Sequence, residues 1–237
     1  MSVAVPPTIE ELAPLAVSRR EVLRNLGYPR SREPSARVAD ALDRLWDRAG
    51  ELVAARGVLR VVTGQEAAAA GMPSPTEWVG LGIGTAGPAL EGAEREHSEA
   101  GQMLEALILD AYGSAAAEAA ADALNLRLCR LAQAAGFQLP RRISPGYGRW
   151  AIEGQTELLR LLEAGRIGVR LTEGLMMVPR KSVSFAVRFE RDLPPGPAAR
   201  RRCAACELER CAYRVDEPDE DENEQTETDG ANDETEA

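Results

Sequence analysis

An alanine-rich stretch, residues 91–135, constrains the fold of this chain more than any other feature of the sequence. Alanine and leucine favour helices, and a stretch of this length exceeds what one ordinary globular helix uses. A glycine at position 113 interrupts the pattern, and glycine inside a helix is costly. We therefore expect two helices that are separated or bent near Gly113. Their apolar clusters are Met103, Leu104, Leu107 and Ile108, and then Leu124, Leu126, Leu128 and Leu131.

Three shorter segments, residues 57–62, 78–84 and 182–189, have the pattern of β-strands. The third is the clearest, because apolar and small or polar side chains alternate along it with the period of a strand. A fourth candidate strand covers residues 167–171. Helices and strands are mixed without a repeating βαβ order, so the chain is predicted to have an α+β fold. Three further helices are predicted. One begins after Ser18, a second begins at Pro34-Ser35, and a third contains Leu158, Leu159, Leu161 and Leu162.

Charge is distributed unevenly along the 237 residues, whose net charge is −10. The segment from Asp216 to the end has 12 acidic residues and no lysine or arginine, which leaves 26 acidic and 28 basic residues in the rest. We expect this tail to be disordered because it has no large aliphatic residue. The predicted organisation is an extension at 1–17, an α+β domain at 18–193, a linker with a cysteine-rich segment at 194–215, and the acidic tail at 216–237.

Several partner classes are unexpected for such a chain. The part before the tail is nearly neutral, and its short arginine run lacks interleaved aromatic residues, so we expect no nucleic-acid partner. No stretch approaches the roughly 20 apolar residues that cross a bilayer, and no signal peptide is evident. The clustered cysteines suggest a metal or redox site in a reducing compartment more than a disulfide framework. A cytoplasmic location is therefore predicted.

The loop at residues 140–148 carries the chemistry of most interest, with the sequence Pro-Arg-Arg-Ile-Ser-Pro-Gly-Tyr-Gly. The guanidinium of Arg142 can hold a carboxylate with two hydrogen bonds. Gly146 allows a tight turn and a close approach of a ligand to the backbone. Tyr147 offers a ring for an adenine or a sulfonium. These residues suit an amphipathic zwitterion, although a structural turn with an exposed arginine is the alternative.

This loop resembles a motif of the activation domain of cobalamin-dependent methionine synthase, Arg-x-x-Pro-Gly-Tyr, here Arg142 to Tyr147. Downstream, Leu171-Thr-Glu173, Met177-Val-Pro179 and Ser182-Val-Ser184 follow the family's order and spacing. Upstream, Ile108-Leu-Asp110 and the Gly-Ser pair that follows resemble the short stand-alone relatives of that domain. The resemblance implies helices packed with a twisted antiparallel sheet. In one respect the chain differs, since residues 135–141 contain no acid where methionine synthase has one.

The resemblance also implies a ligand and a set of contacts. The family domain binds S-adenosylmethionine, and Arg142 and Tyr147 match its ligand-binding arginine and tyrosine. Ile143 matches a position of backbone contact, and Gly146 keeps the loop open. Thr172 and Glu173 match the Leu-Thr-Glu segment, where they either brace the loop and orient Arg142 or simply support the fold.

The function implied is reactivation of a methionine synthase-type methyltransferase. The corrinoid-binding partner holds the cobalamin, an electron donor reduces the inactive cob(II) form, and S-adenosylmethionine provides the methyl group. The lone histidine, His97, lacks the Asp-x-His-x-x-Gly context of a cobalt ligand and is expected at the surface. The chain is also too short to hold the other substrates of methionine synthesis, so it is not a complete methionine synthase by itself.

Three cysteines, Cys203, Cys206 and Cys211, form a Cys-x-x-Cys pair with a third thiol five residues on. Such a set could bind an iron–sulfur cluster or zinc, act as redox thiols, or have only a local structural role. The fourth, Cys129, lies among leucines and is expected to be a buried small hydrophobic residue. The alternative function is therefore a metal- or cluster-bearing interaction or redox module on the same fold, without S-adenosylmethionine binding.

Overall fold

The computed structural model describes residues 3–29 and 32–192 and contains a four-stranded antiparallel sheet with the order β1-β2-β3-β6. A separate pair of short strands, β4 and β5, forms a small second sheet. Helices cover the larger sheet, so the described part of the chain is α+β with an antiparallel sheet, as predicted. The strands are β1 Val5–Glu11, β2 Arg56–Thr63, β3 Trp78–Thr85, β4 Arg170–Leu171, β5 Met177–Val178 and β6 Ser182–Arg188.

The helices are mostly short, apart from one that runs along a face of the sheet. Helix α1 begins after Ser18, whose hydroxyl accepts a hydrogen bond from the Glu21 amide, as the sequence predicted. A short 3₁₀ helix at Ala164–Ile167 precedes β4, so the strand predicted at 167–171 is shorter than expected. The α-helices are α1 Arg19–Asn25, α2 Ala36–Glu51, α3 Gly64–Ala69, α4 Ala89–Glu99, α5 Met103–Ala134 and α6 Gly154–Leu162.

The first strand was not anticipated, because residues 1–17 were predicted to be an extension. Pro6 and Pro7 lie within β1, which pairs antiparallel with β2 and has a register irregularity beside the two prolines. Proline lacks an N–H donor, so it is tolerated at the edge of a sheet, and β1 is an edge strand. The two prolines are the reason that this strand was not predicted from the sequence.

The predicted break at Gly113 is wrong. Helix α5 runs through Gly113 without interruption, and the chain instead separates α4 from α5 at residues 100–102, where Gly101 has a φ of +74°. At position 113 a Cβ atom would lie 3.0 Å from Cγ of Lys181. The glycine makes room for the lysine side chain, and the surrounding contacts outweigh its low helix propensity.

Strand β3 lies between two cores, one on each face of the sheet, and presents different residues to each. Val79, Leu81 and Ile83 enter the core that also contains α6. The glycines between them face the other way, and a Cβ atom added to Gly84 would lie 3.0 Å from Cβ of Ala120 on α5. The alanine-rich helix therefore lies directly against the backbone of the sheet. A third core joins α1, α2, α4 and the first half of α5.

Candidate functional site

The loop at residues 140–150 is attached to the outer edge of β6. The amide of Ile143 donates to the carbonyl of Ala186 at 2.8 Å, and the amide of Ala186 donates back to Ile143 at 2.8 Å. The hydroxyl of Ser144 donates to the carbonyl of Ser184 at 2.7 Å. The start of the loop thus acts as an additional, very short strand, and the Ile143 amide is already engaged by the protein.

The Pro-Gly turn is tight, as the sequence predicted. Gly146 has a φ of +86°, and its amide donates to the carbonyl of Trp150 at 2.8 Å. Trp150 is buried and donates through Nε1 to the carbonyl of Ala70 at 3.2 Å. This buried residue therefore anchors one end of the turn to the protein. Tyr147 lies at that tip and is 75% exposed.

Arg142 is not an exposed arginine, since only 13% of its side chain is accessible. Nη2 donates to Oε2 of Glu118 at 2.6 Å, and Nη1 lies 2.7 Å from Oδ1 of Asp122. The guanidinium also lies over the ring of Phe185, 5.3 Å from its centroid. Carboxylates therefore do accompany this arginine, although none precedes it in the loop. They come from α5.

The turn between β4 and β5 contains the other two predicted residues. Thr172 donates its amide to the carbonyl of Met176 at 2.9 Å and accepts the Met176 amide on Oγ1 at 3.1 Å. It therefore braces its own turn. Glu173 is exposed at the tip of that turn. In the described part of the chain, the carboxylates that hold Arg142 belong to Glu118 and Asp122, so the structure gives Glu173 no orienting contact with the arginine.

One buried side chain, Gln155 at the start of α6, links this turn to the sheet beside the loop. Its Nε2 donates to the carbonyl of Leu175 at 2.9 Å, and its Oε1 accepts from the hydroxyl of Ser184 at 3.4 Å. Ser184 is also the residue whose carbonyl holds Ser144 of the loop. Gln155 was not among the residues predicted from the sequence. A signal was available, since this polar residue lies three, four and seven positions before leucines on one helical face.

The acids on α5 were missed as well, and they too have a sequence signal. Asp110, Ser114, Glu118 and Asp122 follow one another at four-residue spacing, which places them in one row on a helix. The first two hold a second cation, because Nζ of Lys181 donates to Asp110 at 2.6 Å and to Ser114 at 2.9 Å. This polar row of α5 (residues 110, 114, 118 and 122) borders an otherwise alanine-rich buried helix.

The predicted thiol site, Cys203, Cys206 and Cys211, lies outside the described residues. Within residues 3–29 and 32–192, no group of three or more histidine, cysteine or acidic side chains is arranged to hold a metal ion. Cys129 is partly buried, and this burial raises the pKa of its thiol. His97 lies on the polar helix α4, where Nδ1 contacts Oε1 of Gln102. Among the described helices, none is both long enough and apolar enough to cross a membrane.

Comparison with known proteins supports the fold. No protein-family model matches the chain, and no curated protein sequence matches it. The structure is similar to the crystal structure of the MetH reactivation domain bound to AdoHcy, with a TM-score of 0.60 and 16% sequence identity over 82% of each chain. This likeness confirms, at the level of fold, the resemblance indicated by the sequence motifs. The chain therefore has the fold of the MetH reactivation domain.

Proposed function

We propose that this protein binds S-adenosylmethionine and serves as the reactivation module of a corrinoid-dependent methyltransferase of methionine synthase type. One observation carries the proposal. A turn with a left-handed glycine exposes Tyr147 on the same loop as a firmly held Arg142, in a fold whose structural neighbour was crystallised with AdoHcy. That ligand is the demethylated form of S-adenosylmethionine and has the same adenosyl and amino-acid parts.

The charges of the site fit this ligand. Its amino-acid end has a carboxylate, and Arg142 has five N–H donors, of which its contacts with Glu118 and Asp122 engage only some. The remaining N–H groups would donate to this carboxylate. Glu118 and Asp122, whose side chains are 40% and 46% exposed, supply negative charge beside the arginine. S-adenosylmethionine also has an ammonium and a sulfonium, so a site with one cation and two carboxylates matches its mixture of charges.

The exposed tip of the loop fits the other part of the ligand. Tyr147 is open to solvent and has a ring on which an adenine could stack. The amide of Ile143 is bonded to Ala186, whereas its carbonyl oxygen retains a second lone pair that can accept a hydrogen bond from a ligand. Gly146 gives the turn its left-handed φ of +86°, and a Cβ added there would lie 3.1 Å from Cδ1 of Ile152. Thr172 and Glu173 would line the neighbouring turn.

The role in reactivation depends on a partner that holds the cobalamin. When bound, S-adenosylmethionine supplies the methyl group, and the residues of this chain hold it by its amino-acid and adenosyl ends. This contribution is positioning and electrostatics. The electron that the inactive cob(II) form requires would come from a separate donor protein or reductant.

A calorimetric titration of S-adenosylhomocysteine tests the binding step. We expect the wild type to bind and Arg142→Ala to bind about 30-fold more weakly, because a charge-assisted pair of hydrogen bonds is lost. Arg160→Ala is the matched control. Arg160 is an exposed arginine on α6, 68% accessible, that pairs with Glu157. Equal binding by the wild type and Arg142→Ala, or no binding by the wild type, would contradict the proposal.

A spectroscopic assay tests the reactivation step. The protein is mixed with a corrinoid protein in the cob(II) state, a reductant and S-adenosylmethionine, and the cobalamin spectrum is followed. Formation of methylcobalamin should depend on this chain and should be lost with Arg142→Ala. If the spectrum changes at the same rate without the chain, the reactivation role is wrong even where the ligand binds.

A further inference from the structure

We infer that Glu118 and Asp122 are positioning residues for Arg142, and that they make ligand affinity depend on the ligand's carboxylate. The inference rests on the proposed function, and it assigns a role to two residues outside every motif of the sequence analysis. Neither acid is treated as a catalytic residue. Each acts through the guanidinium that it holds.

The guanidinium of Arg142 is held by contacts on two of its nitrogens. An arginine side chain has several rotatable bonds, so a loop position alone does not determine where its head group lies. Here Nη2 and Nη1 contact two different carboxylates, at 2.6 Å and 2.7 Å, and Phe185 covers the group from 5.3 Å. Contacts on two nitrogens restrict the rotation of the guanidinium plane. A single contact would leave the plane free to rotate.

The elements that carry these groups are packed on the same sheet. Glu118 and Asp122 lie one helical turn apart, on either side of Ala120. A Cβ atom on Gly84 would lie only 3.0 Å from Cβ of Ala120, so this turn of α5 is packed against the backbone of β3. The backbone of the loop is meanwhile fixed to β6 through Ile143. Both ends of the arginine side chain are thus attached to the same sheet.

A second ion pair on the same row of α5 provides a comparison for Arg142 and its acids. Asp110 and Ser114 hold Lys181, whose side chain is 10% exposed, and Asp110 itself is 42% exposed, close to the 40% and 46% of Glu118 and Asp122. The two clusters differ in what they hold. Lys181 directly precedes β6, whereas Arg142 lies on the loop whose tip exposes Tyr147, so only the second pair of acids holds a residue of the proposed ligand loop.

The experiment compares two ligands that share the adenosyl thioether. S-adenosylhomocysteine has the carboxylate, whereas its decarboxylated analogue, S-adenosyl-3-thiopropylamine, keeps the ammonium and lacks only the carboxylate. For the Glu118→Gln/Asp122→Asn double variant we expect about tenfold weaker binding of S-adenosylhomocysteine and unchanged binding of the decarboxylated analogue. Asp110→Asn is the matched control. It breaks the neighbouring ion pair on the same helix and should leave the affinity for both ligands unchanged.

A charge-preserving variant distinguishes position from electrostatics. Glu118→Asp keeps the negative charge but withdraws the carboxylate by one methylene from Nη2 of Arg142, so we expect about threefold weaker binding of S-adenosylhomocysteine. Wild-type affinity in Glu118→Asp and in the double variant overturns the inference, as does tighter binding. An equal loss for both ligands also overturns it, since the acids would then act on the ammonium directly or through the stability of the fold. Failure of the wild type to bind S-adenosylhomocysteine instead overturns the proposed function itself.

Discussion

The two halves of the predicted ligand site are built differently. The loop half, residues 140–150, is joined to β6 by a backbone pair, to α5 through Arg142, and to α3 and its following turn through the buried Trp150. The turn half, residues 172–176, is closed mainly by its own hydrogen bonds and is joined to the sheet by Gln155. The loop and the turn both match motifs of the sequence, but the loop is joined to more elements of the fold than the turn is. The loop half should determine affinity, and the turn half should matter less.

Outside Arg142 and the two acids that hold it, the largest effect should come from a change in the loop backbone. Gly146→Val forces a β-branched residue into a φ of +86° and brings its Cβ to 3.1 Å from Cδ1 of Ile152. We expect a loss of about 1–2 kcal/mol in the free energy of unfolding and about tenfold weaker binding of S-adenosylhomocysteine. Denaturant unfolding and calorimetry measure the two effects. Gly92→Val, at an open helical position of α4, should show neither. An unaltered affinity in Gly146→Val would remove the loop from the site.

A smaller effect is expected from the ring at the tip of the loop. Tyr147→Ala should weaken S-adenosylhomocysteine about fivefold, because a stacking contact is lost. Stability should not change, since the side chain is 75% exposed. Tyr147→Phe keeps the ring and should bind within about twofold of the wild type. If Tyr147→Phe is as weak as Tyr147→Ala, the hydroxyl rather than the ring makes the contact.

The link between the two halves should affect stability more than binding. Gln155→Leu leaves the carbonyl of Leu175 without its side-chain donor, which should lower the free energy of unfolding by about 1–2 kcal/mol. Affinity for S-adenosylhomocysteine should fall by no more than about threefold. Gln133→Leu, at an exposed position of α5, should leave both values unchanged. A tenfold loss of affinity in Gln155→Leu would show that the turn half contributes to the site as much as the loop half.

The smallest effect is expected at the tip of the turn. Glu173→Gln should bind S-adenosylhomocysteine within about twofold of the wild type, because an exposed carboxylate contributes little to either stability or a screened ligand contact. Calorimetry at physiological salt is the appropriate measurement. A clear loss of affinity would place this carboxylate against the ligand and would remove the distinction between the two halves.

The sequence predicted the features that depend on local chemistry. The alternation in β6 and the Pro-Gly turn each follow from a few adjacent residues, and both are present. The partners of Arg142 could not be predicted in the same way, since Glu118 and Asp122 lie about 20 residues away and meet it only after α5 packs on the sheet. The break placed at Gly113 failed for a similar reason. Gly113 is needed because the side chain of Lys181 packs against it in the folded protein, and local helix propensity gives no information about such a contact.

At Gly84 the spacing between β3 and α5 is set by the main chain, because an added Cβ would lie 3.0 Å from Cβ and 3.1 Å from the carbonyl carbon of Ala120. Most proteins can adjust such a spacing by exchanging one core side chain for another. At Gly84 there is no side chain to exchange, so a replacement would push this turn of α5 outward. Glu118 and Asp122 would then move away from Arg142 on the loop. A methyl group added at the centre of the sheet could thus alter recognition at the surface, even though it never touches a ligand.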